Sequence, residues 1–522
     1  MDKHKIKDKF NEEKRELKEK KHLVKPIFLV TILILLQIFL FIFIYTIFIQ
    51  KVHWINWIWI VIRFILIIHI INLDKPIDYR VAWIIPIASL PVFGIMLYLF
   101  LEILPGPRML SRRLEKIKIK NTKLLTANKN IPSEMEHDPR VDYGLDRYLD
   151  NIIDYPMHKN TDLQYYTQGE EYFEKLIVDL RNAKDFILME FFIIKPGIML
   201  DTIVDILSDK VKEGVDVKFM YDGMNAYHLP SSYKNYLESL GIDTLVFGAV
   251  KPILSTYHNN RNHRKIVVID NEIAYTGGVN LSDEYINAVE KFGHWKDNGI
   301  RLEGQAVKNF TVMFFNLWDL SSGNEYNLNR YLSHELLTQS QAYVQPFDDA
   351  PNDQETVGEN VYVDVLNQAK DYVYIMTPYL ILSDKVINAI KFAAKRCVDV
   401  RIMMPGIPDK KIAYNMGRSY YEHLIKNGVK IYEYSPGFLH AKSFVSDDMT
   451  SVAGTINLDF RSLHLHYENA VLVYDEDFAL KLKEDFLNTQ EKCNQMTIEK
   501  YRELNFIYRL SGRVLKLFAP MM

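Results

Sequence analysis

The 522-residue sequence has almost no cysteine: only Cys397 and Cys493 occur. They lie far apart, with no ligand pattern beside them, which excludes a disulfide framework or a zinc-knuckle site. Both read as buried or indifferent thiols. A basic surplus is also missing. The formal net charge of -3 argues against a general nucleic-acid binder, whose domain is usually strongly basic. No cluster of metal-ligating residues is evident along the chain.

What the sequence does have is apolar length. Residues 26–50, "PIFLVTILILLQIFLFIFIYTIFIQ", carry no charge, and about 20 apolar residues cross a bilayer. The run is too long for a signal peptide and lacks a small-residue cleavage site. Two further apolar stretches follow. Residues 52–71 hold Arg63 near their middle, which costs roughly 2.5–3.5 kcal/mol in a spanning helix, so this stretch reads as spanning or interfacial. Residues 82–104 contain Pro86, Pro91 and Gly94, which membrane helices tolerate. Residues 1–25 carry ten Lys/Arg against six Asp/Glu, and a second basic run begins at Arg108. With positive flanks inside, both ends of the membrane region 26–104 are expected in the cytoplasm. That favours two crossings, at 27–49 and 82–104, with three as the runner-up. The expected organisation is a basic cytoplasmic tail over 1–25, a multi-pass anchor in the cell membrane, a basic linker over 105–165, and the remaining domains on the cytoplasmic side.

From about residue 165 helical and strand-like segments alternate, which argues for an α/β layer fold. The order then repeats. Ala-Lys-Asp occurs at 183–185 and 369–371, "VDVKFMYDG" at 215–223 is answered by "VDVRIMMPG" at 398–406, and "HRK" at 263–265 by "HAK" at 440–442. The offsets shrink from 186 to 183 to 177 residues, as in a domain duplication with small deletions. The boundaries read as 166–345 and 346–500, with an amphipathic tail over 501–522. That tail mixes Arg502, Arg509, Arg513 and Lys516 with apolar residues, and reads equally as an interfacial helix on acidic lipid or as a helix capping the domain.

Each half closes on H-x-K-x4-D-x6-G-[GT]-x-N. The first uses His263, Lys265, Asp270, Gly277, Gly278 and Asn280; the second uses His440, Lys442, Asp447, Gly454, Thr455 and Asn457. On a strand, residues i and i+2 share a face, so His and Lys are expected to project together. The aspartates fall at turns and read as holding a hairpin. An imidazole, an ammonium and an asparagine amide beside a glycine turn suit a phosphate. Two halves about a pseudo-twofold axis would face two histidines across one phosphorus. One would attack while the other protonates the leaving alkoxide, and lysines and asparagines would hold the non-bridging oxygens. The scheme needs no metal.

The doubled motif resembles the phospholipase D superfamily, and the wider text over roughly 75–522, including "HWKDNGIRLEGQAV" and "GTINLDFRSLHLHYE", is similar to bacterial cardiolipin synthases. The resemblance implies two α/β/α sandwich domains behind N-terminal transmembrane helices. It implies transfer of a phosphatidyl group between two phosphatidylglycerol molecules in the bilayer, with glycerol released, no cofactor, and a covalent intermediate on histidine, His263 being favoured as nucleophile. It counts Asp270 and Asp447 within the catalytic motifs. One departure stands out: His466 lies where the family usually has asparagine. Asp297 and Glu468 are candidate orienting acids. Under pseudo-twofold symmetry each reaches the other half's histidine, which pairs Glu468 with His263 and Asp297 with His440. His258 reads as a loop residue. A hydrolase, or a non-catalytic membrane scaffold of the same fold, stays open beside the transferase, as do oligomeric state and acyl-chain preference.

Overall fold

The computed structural model describes residues 53–73, 77–102, 106–126, 128, 130–141, 143–248, 260–351 and 355–521, together with Phe39. The tail 1–25, the apolar run 27–49 apart from Phe39, and His258 lie outside the described residues.

The described chain divides into two compact units. The first holds three apolar helices, α1 (His53–Ile71), α2 (Ile77–Ser89) and α3 (Pro91–Glu102). The single span expected over 82–104 is instead broken at Leu90. Pro91 opens α3, where its missing N–H is harmless, and Gly94 lets the chain fold back: a Cβ there would stand 2.4 Å from the Pro86 carbonyl oxygen. The two helices form a hairpin in which Trp83 meets Tyr98 edge-to-face at 5.2 Å. Ile70, Ile87 and Ile95 complete the small core. At about 1.5 Å per residue neither arm reaches the roughly 30 Å of a hydrocarbon layer. Among the described residues no helix is long and apolar enough to cross a membrane. The C-terminal 3-10 turn Lys516–Met521 packs on α2 within this unit.

The second unit carries the duplication. Its first half provides β1 (Thr161–Tyr166), β2 (Phe186–Phe191), β3 (Asp216–Asp222), β4 (Asp243–Phe247), β5 (Ile266–Ile269), β6 (Ile273–Gly277), β7 (His294–Lys296) and β8 (Gly299–Gly304). Its second half provides β9 (Tyr343–Asp349), β10 (Tyr372–Met376), β11 (Asp399–Pro405), β12 (Lys430–Tyr434), β13 (Gly437–Leu439), β14 (Ser443–Ser446), β15 (Thr450–Gly454), β16 (Glu468–Tyr474) and β17 (Cys493–Met496). The sheets run β1-β8-β6-β5-β2-β3-β4 and β9-β16-β15-β14-β10-β11-β12-β17, the same order with one added edge strand. In each, three parallel strands join an antiparallel set.

Helices cover the sheets. Val307–Ser322, which follows β8, is buried almost all round, as expected of a helix with no polar face, and it contacts both β5 and β9. Glu476–Gln490, which follows β16, reciprocally contacts β1 and β14. Each half therefore lends a helix to the other. The segment 105–165 is not a mere linker. It forms the helices Gly106–Thr122, Ile131–Glu136 and Tyr143–Ile153, whose Leu114, Ile117, Leu145 and Leu149 join the main core. Asn121 and Tyr155 both hydrogen-bond Asn316. Arg112, Arg113, Lys116 and Lys120 occupy the outer face and mask the amphipathic pattern, while Lys118 turns inward to Asp348 at 3.0 Å.

Phe506–Leu515 sits against the second half through Gly512, with Asn415 donating to Ser511 at 2.8 Å and Arg513 paired to Glu422 at 2.9 Å. Phe506, Ile507, Leu510 and Val514 remain exposed. Both cysteines are free.

Candidate active site

The histidines and lysines lie just before strands β5 and β14, not on them. Each motif instead pairs across to the other half. The His263 amide donates to the Tyr467 carbonyl at 2.9 Å, and the His440 amide to the Lys296 carbonyl at 2.7 Å. Tyr467 and Lys296 immediately precede Glu468 and Asp297, so one backbone bond sets each histidine beside the opposite half's acid. The parallel pairing of β13 with β7 extends the second contact.

The side chains follow the backbone. His263 Nδ1 lies 2.9 Å from the Glu468 carboxylate, and His440 Nδ1 lies 2.8 Å from Asp297 Oδ2. An Nδ1–H held by a carboxylate leaves the Nε2 lone pair free. Both acids are fully buried. Thr455 Oγ1 donates to Glu468 at 2.5 Å. Asp297 instead accepts from the Trp295 indole at 3.1 Å and from the Asn298 amide at 2.9 Å. Gly278 stands where the second half has Thr455, and a Cβ there would lie 1.8 Å from Asp297 Oδ1.

Lys265 donates to the His263 carbonyl at 2.6 Å, and Lys442 likewise reaches the His440 carbonyl. Burial lowers Lys265 to about 7, an effect that Lys442 strengthens. Burial also lowers Lys442 to about 8. Burial, then the nearby Lys442, lowers His440 to about 4. His263 is pushed well below its ordinary value, again chiefly by burial. Burial works against ionising Asp297, but His440 and Lys442 outweigh it and hold the carboxyl at about 2. Glu468 is lowered in the same way against its burial, by His263 and then His466. Two histidines and two lysines, each pushed by burial toward its neutral form, thus surround two carboxylates that stay ionised in a buried site.

Asp270 and Asp447 belong to the scaffold. Asp270 accepts from the amides of Lys184, Asp185 and Phe186, and Asp447 from those of Lys370, Asp371 and Tyr372. Each sits beyond the far end of the strand that follows the histidine, at the turn where the sequence reading placed it as holding the hairpin. Asn280 is also tied down: it accepts from the Ile193 amide at 3.0 Å and donates to the Tyr285 hydroxyl at 2.8 Å. Asn457 differs, since its buried Oδ1 has no hydrogen bond.

Sequence reading missed the rings around the histidines. Phe192 and His466 flank His263 at 4.9 and 5.4 Å between centroids. Tyr285, Trp295 and Phe438 surround His440 at 5.4, 5.3 and 5.8 Å. Trp295 precedes Asp297 by two residues as His466 precedes Glu468, and that spacing was the available signal. It also missed Arg264, buried between the halves, which bonds Glu190 at 2.8 and 3.0 Å and reaches Asp348 at 3.4 Å. His263, His466 and Glu468 bring donor atoms within 4.8 Å of one another, a metal-capable group that the sequence separation hid.

Two like domains with crossed His–carboxylate pairs define a phospholipase D-type architecture. The phosphatidylserine synthase structure of Haemophilus influenzae shares the fold, with TM-score 0.55 and 17% identity over 72% of this chain and 98% of that one. The family description "Cardiolipin synthase, PLD-like domain" matches residues 176–318 and 362–489, and "Phospholipase_D-nuclease N-terminal" matches 61–102. An uncharacterized protein of Streptococcus mutans is 41% identical over 87% of this chain and 99% of its own length. The cardiolipin synthase of Alkalihalophilus pseudofirmus is 31% identical over 84% of this chain and 88% of its own, and that of Geobacillus kaustophilus 31% over 85% and 88%. The chain belongs to the cardiolipin synthase family of phospholipase D-like proteins.

Proposed function

We propose that this protein is a phosphatidyltransferase that makes cardiolipin from two phosphatidylglycerol molecules through a phosphohistidine. The observation that carries the reading is the pair of crossed contacts, His263 to Glu468 and His440 to Asp297. They supply two oriented imidazoles, one for each chemical role. His263 Nε2 attacks phosphorus as the bond to the departing glycerol breaks, and His440 gives that oxygen its proton. The glycerol hydroxyl of a second phosphatidylglycerol then returns a proton to His440 and attacks phosphorus, and the bond to His263 breaks. The free-site acidity of His440 suits this cycle, because an anionic phosphodiester beside it raises its proton affinity. Lys265, Lys442 and Asn457 are assigned to the non-bridging oxygens. Asn280, Gly278 and Thr455 shape the pocket wall.

The substrates live in the bilayer, and the apolar run 27–49 with the hairpin α2–α3 is assigned to membrane attachment, with the catalytic halves on the cytoplasmic face. Labelling of an engineered cysteine at Ser111 from outside intact cells would contradict that placement. The reaction is tested by incubating the full chain with phosphatidylglycerol vesicles. One glycerol released per cardiolipin, with little phosphatidic acid, supports the transferase. Glycerol with phosphatidic acid and no cardiolipin would make the protein a hydrolase.

A further inference from the structure

We infer that His263, His466 and Glu468 form a binding site for a zinc-class divalent cation, and that occupancy silences the His263 half. His466 Nδ1 lies 3.5 Å from Glu468 Oε1, and its side chain is 10% exposed. Glu468 Oε1 lies between the two imidazoles, 2.9 Å from His263 Nδ1 and 3.5 Å from His466 Nδ1, and His466 Nδ1 is buried without a hydrogen bond that meets ordinary geometry. A buried ring nitrogen held so loosely is costly. The donor set is two imidazoles and one carboxylate, a set that binds zinc with one position left open. Bonds of about 2.0–2.2 Å to a tetrahedral zinc space its donors about 3.3 Å apart. The His263–Glu468 and His466–Glu468 separations of 2.9 and 3.5 Å bracket that spacing.

The consequence for His263 follows from the ring's two nitrogens. In the metal-free site Nδ1 carries the proton and Nε2 the lone pair. A cation at Nδ1 takes that nitrogen's lone pair, so the neutral ring's single proton moves to Nε2. No proton is gained or lost overall, and the lone pair that would attack phosphorus is gone. The other half has no such site, because Trp295 stands two residues before Asp297 and its indole can only donate. One cation per chain is therefore expected.

The cation part stands on geometry alone, while the silencing part rests on the phosphohistidine reading. The test uses the full-length protein in detergent, stripped with a chelator, then titrated with Zn2+ by equilibrium dialysis and with Co2+ by visible absorption. Support is one Zn2+ per chain, tetrahedral Co2+ bands, and affinity weakened more than tenfold in His466→Asn; weakening of about tenfold is already the lower end for loss of an outer-shell partner. His466→Gln replaces the Asn variant if that one fails to fold. Equal binding by wild type and variant, or no binding at 0.1 mM Zn2+ (about 10⁻⁴ M, the weak end of extracellular metal modules), overturns the site. Turnover of phosphatidylglycerol is then followed with and without Zn2+, each protein against its own metal-free rate. Chelator-reversible inhibition that weakens by the same factor in His466→Asn supports the silencing, and His466-dependent binding without inhibition overturns it. A protein that makes no cardiolipin in any arm defeats the transferase reading and leaves the binding isotherms to decide the site.

Discussion

The two halves of the pocket share a backbone plan and differ in what packs around it. Each histidine is placed by one amide bond to the residue before the opposite acid. Around His440 the shell is aromatic, from Tyr285, Trp295 and Phe438, and every Asp297 contact is a donor aimed at the carboxylate. Around His263 there are one phenyl ring, a second imidazole, and a glutamate held by the Thr455 hydroxyl. The duplication preserved the placement of the imidazoles and let their shells diverge. A rigid aromatic cage suits a group that only passes a proton. A more polar shell, with a second imidazole in it, suits the nucleophile's role proposed for His263.

The largest effect that separates the halves comes from the imidazoles themselves. His263→Asn and His440→Asn should each lower cardiolipin formation beyond the roughly 10²–10³-fold typical of one lost oxyanion donor. They should fail at different steps. His440→Asn keeps the nucleophile, so intact-protein mass spectrometry at neutral pH should find a phosphatidyl adduct. The adduct should be absent from His263→Asn. An adduct in the His263 variant alone would reverse the assignment of the halves.

Next come the carboxylates. Glu468→Gln and Asp297→Asn remove the charge that orders Nδ1–H and steadies the imidazolium, and each should cost about 10²–10⁴-fold in turnover. If the His440 cage holds its ring without help, Asp297→Asn will show the smaller loss, because Trp295 and Phe438 still fix the plane. Equal losses would remove the argument that the two shells act differently.

Much of this pocket was legible in the sequence, for a physical reason. A duplication writes the same spacing twice, so the motifs and the reciprocal pairing of Asp297 and Glu468 follow from symmetry. What surrounds them does not. His466 comes within reach of His263 only because Tyr467 pairs with chain some two hundred residues earlier, and no local pattern announces that. Arg264 sits between two motif residues and turns to the opposite side, where Glu190 and Asp348 await it. Hydropathy over 82–104 is blind to a reversal at Leu90, since a hairpin and a span bury the same side chains. Charge at 105–165 hid three helices whose inner faces are apolar.

A smaller effect lies in pH. With Lys265 lowered to about 7 and Lys442 to about 8, anion affinity should be highest below pH 7, where both are charged. It should weaken by up to about tenfold per pH unit once Lys265 loses its proton, and more steeply above 8. Inhibition by tungstate, followed from pH 6 to 9, measures it. Lys442→Met should move the break for Lys265 upward, because Lys442 is among the groups holding Lys265 down. An inhibition constant flat across this range would show that the lysines are not the anion's partners.

The smallest effect falls where the halves are most alike. Asp270 and Asp447 each hold three amides and both take a left-handed backbone, at φ 54° and 52°. Asparagine tolerates that conformation and keeps one acceptor oxygen, so Asp→Asn isolates the charge. A hydrogen bond to a charged group contributes about 1.5–3 kcal/mol, and losing part of that network should cost about 1–3 kcal/mol in urea unfolding. Asp270 is the more buried of the two, so its variant should lose more. Turnover per folded molecule should fall less than tenfold in either, since neither carboxylate lies beside an imidazole. A loss of 10²-fold or more in a variant that melts normally would return these aspartates to the chemistry and end the division between a shared scaffold and two divergent shells.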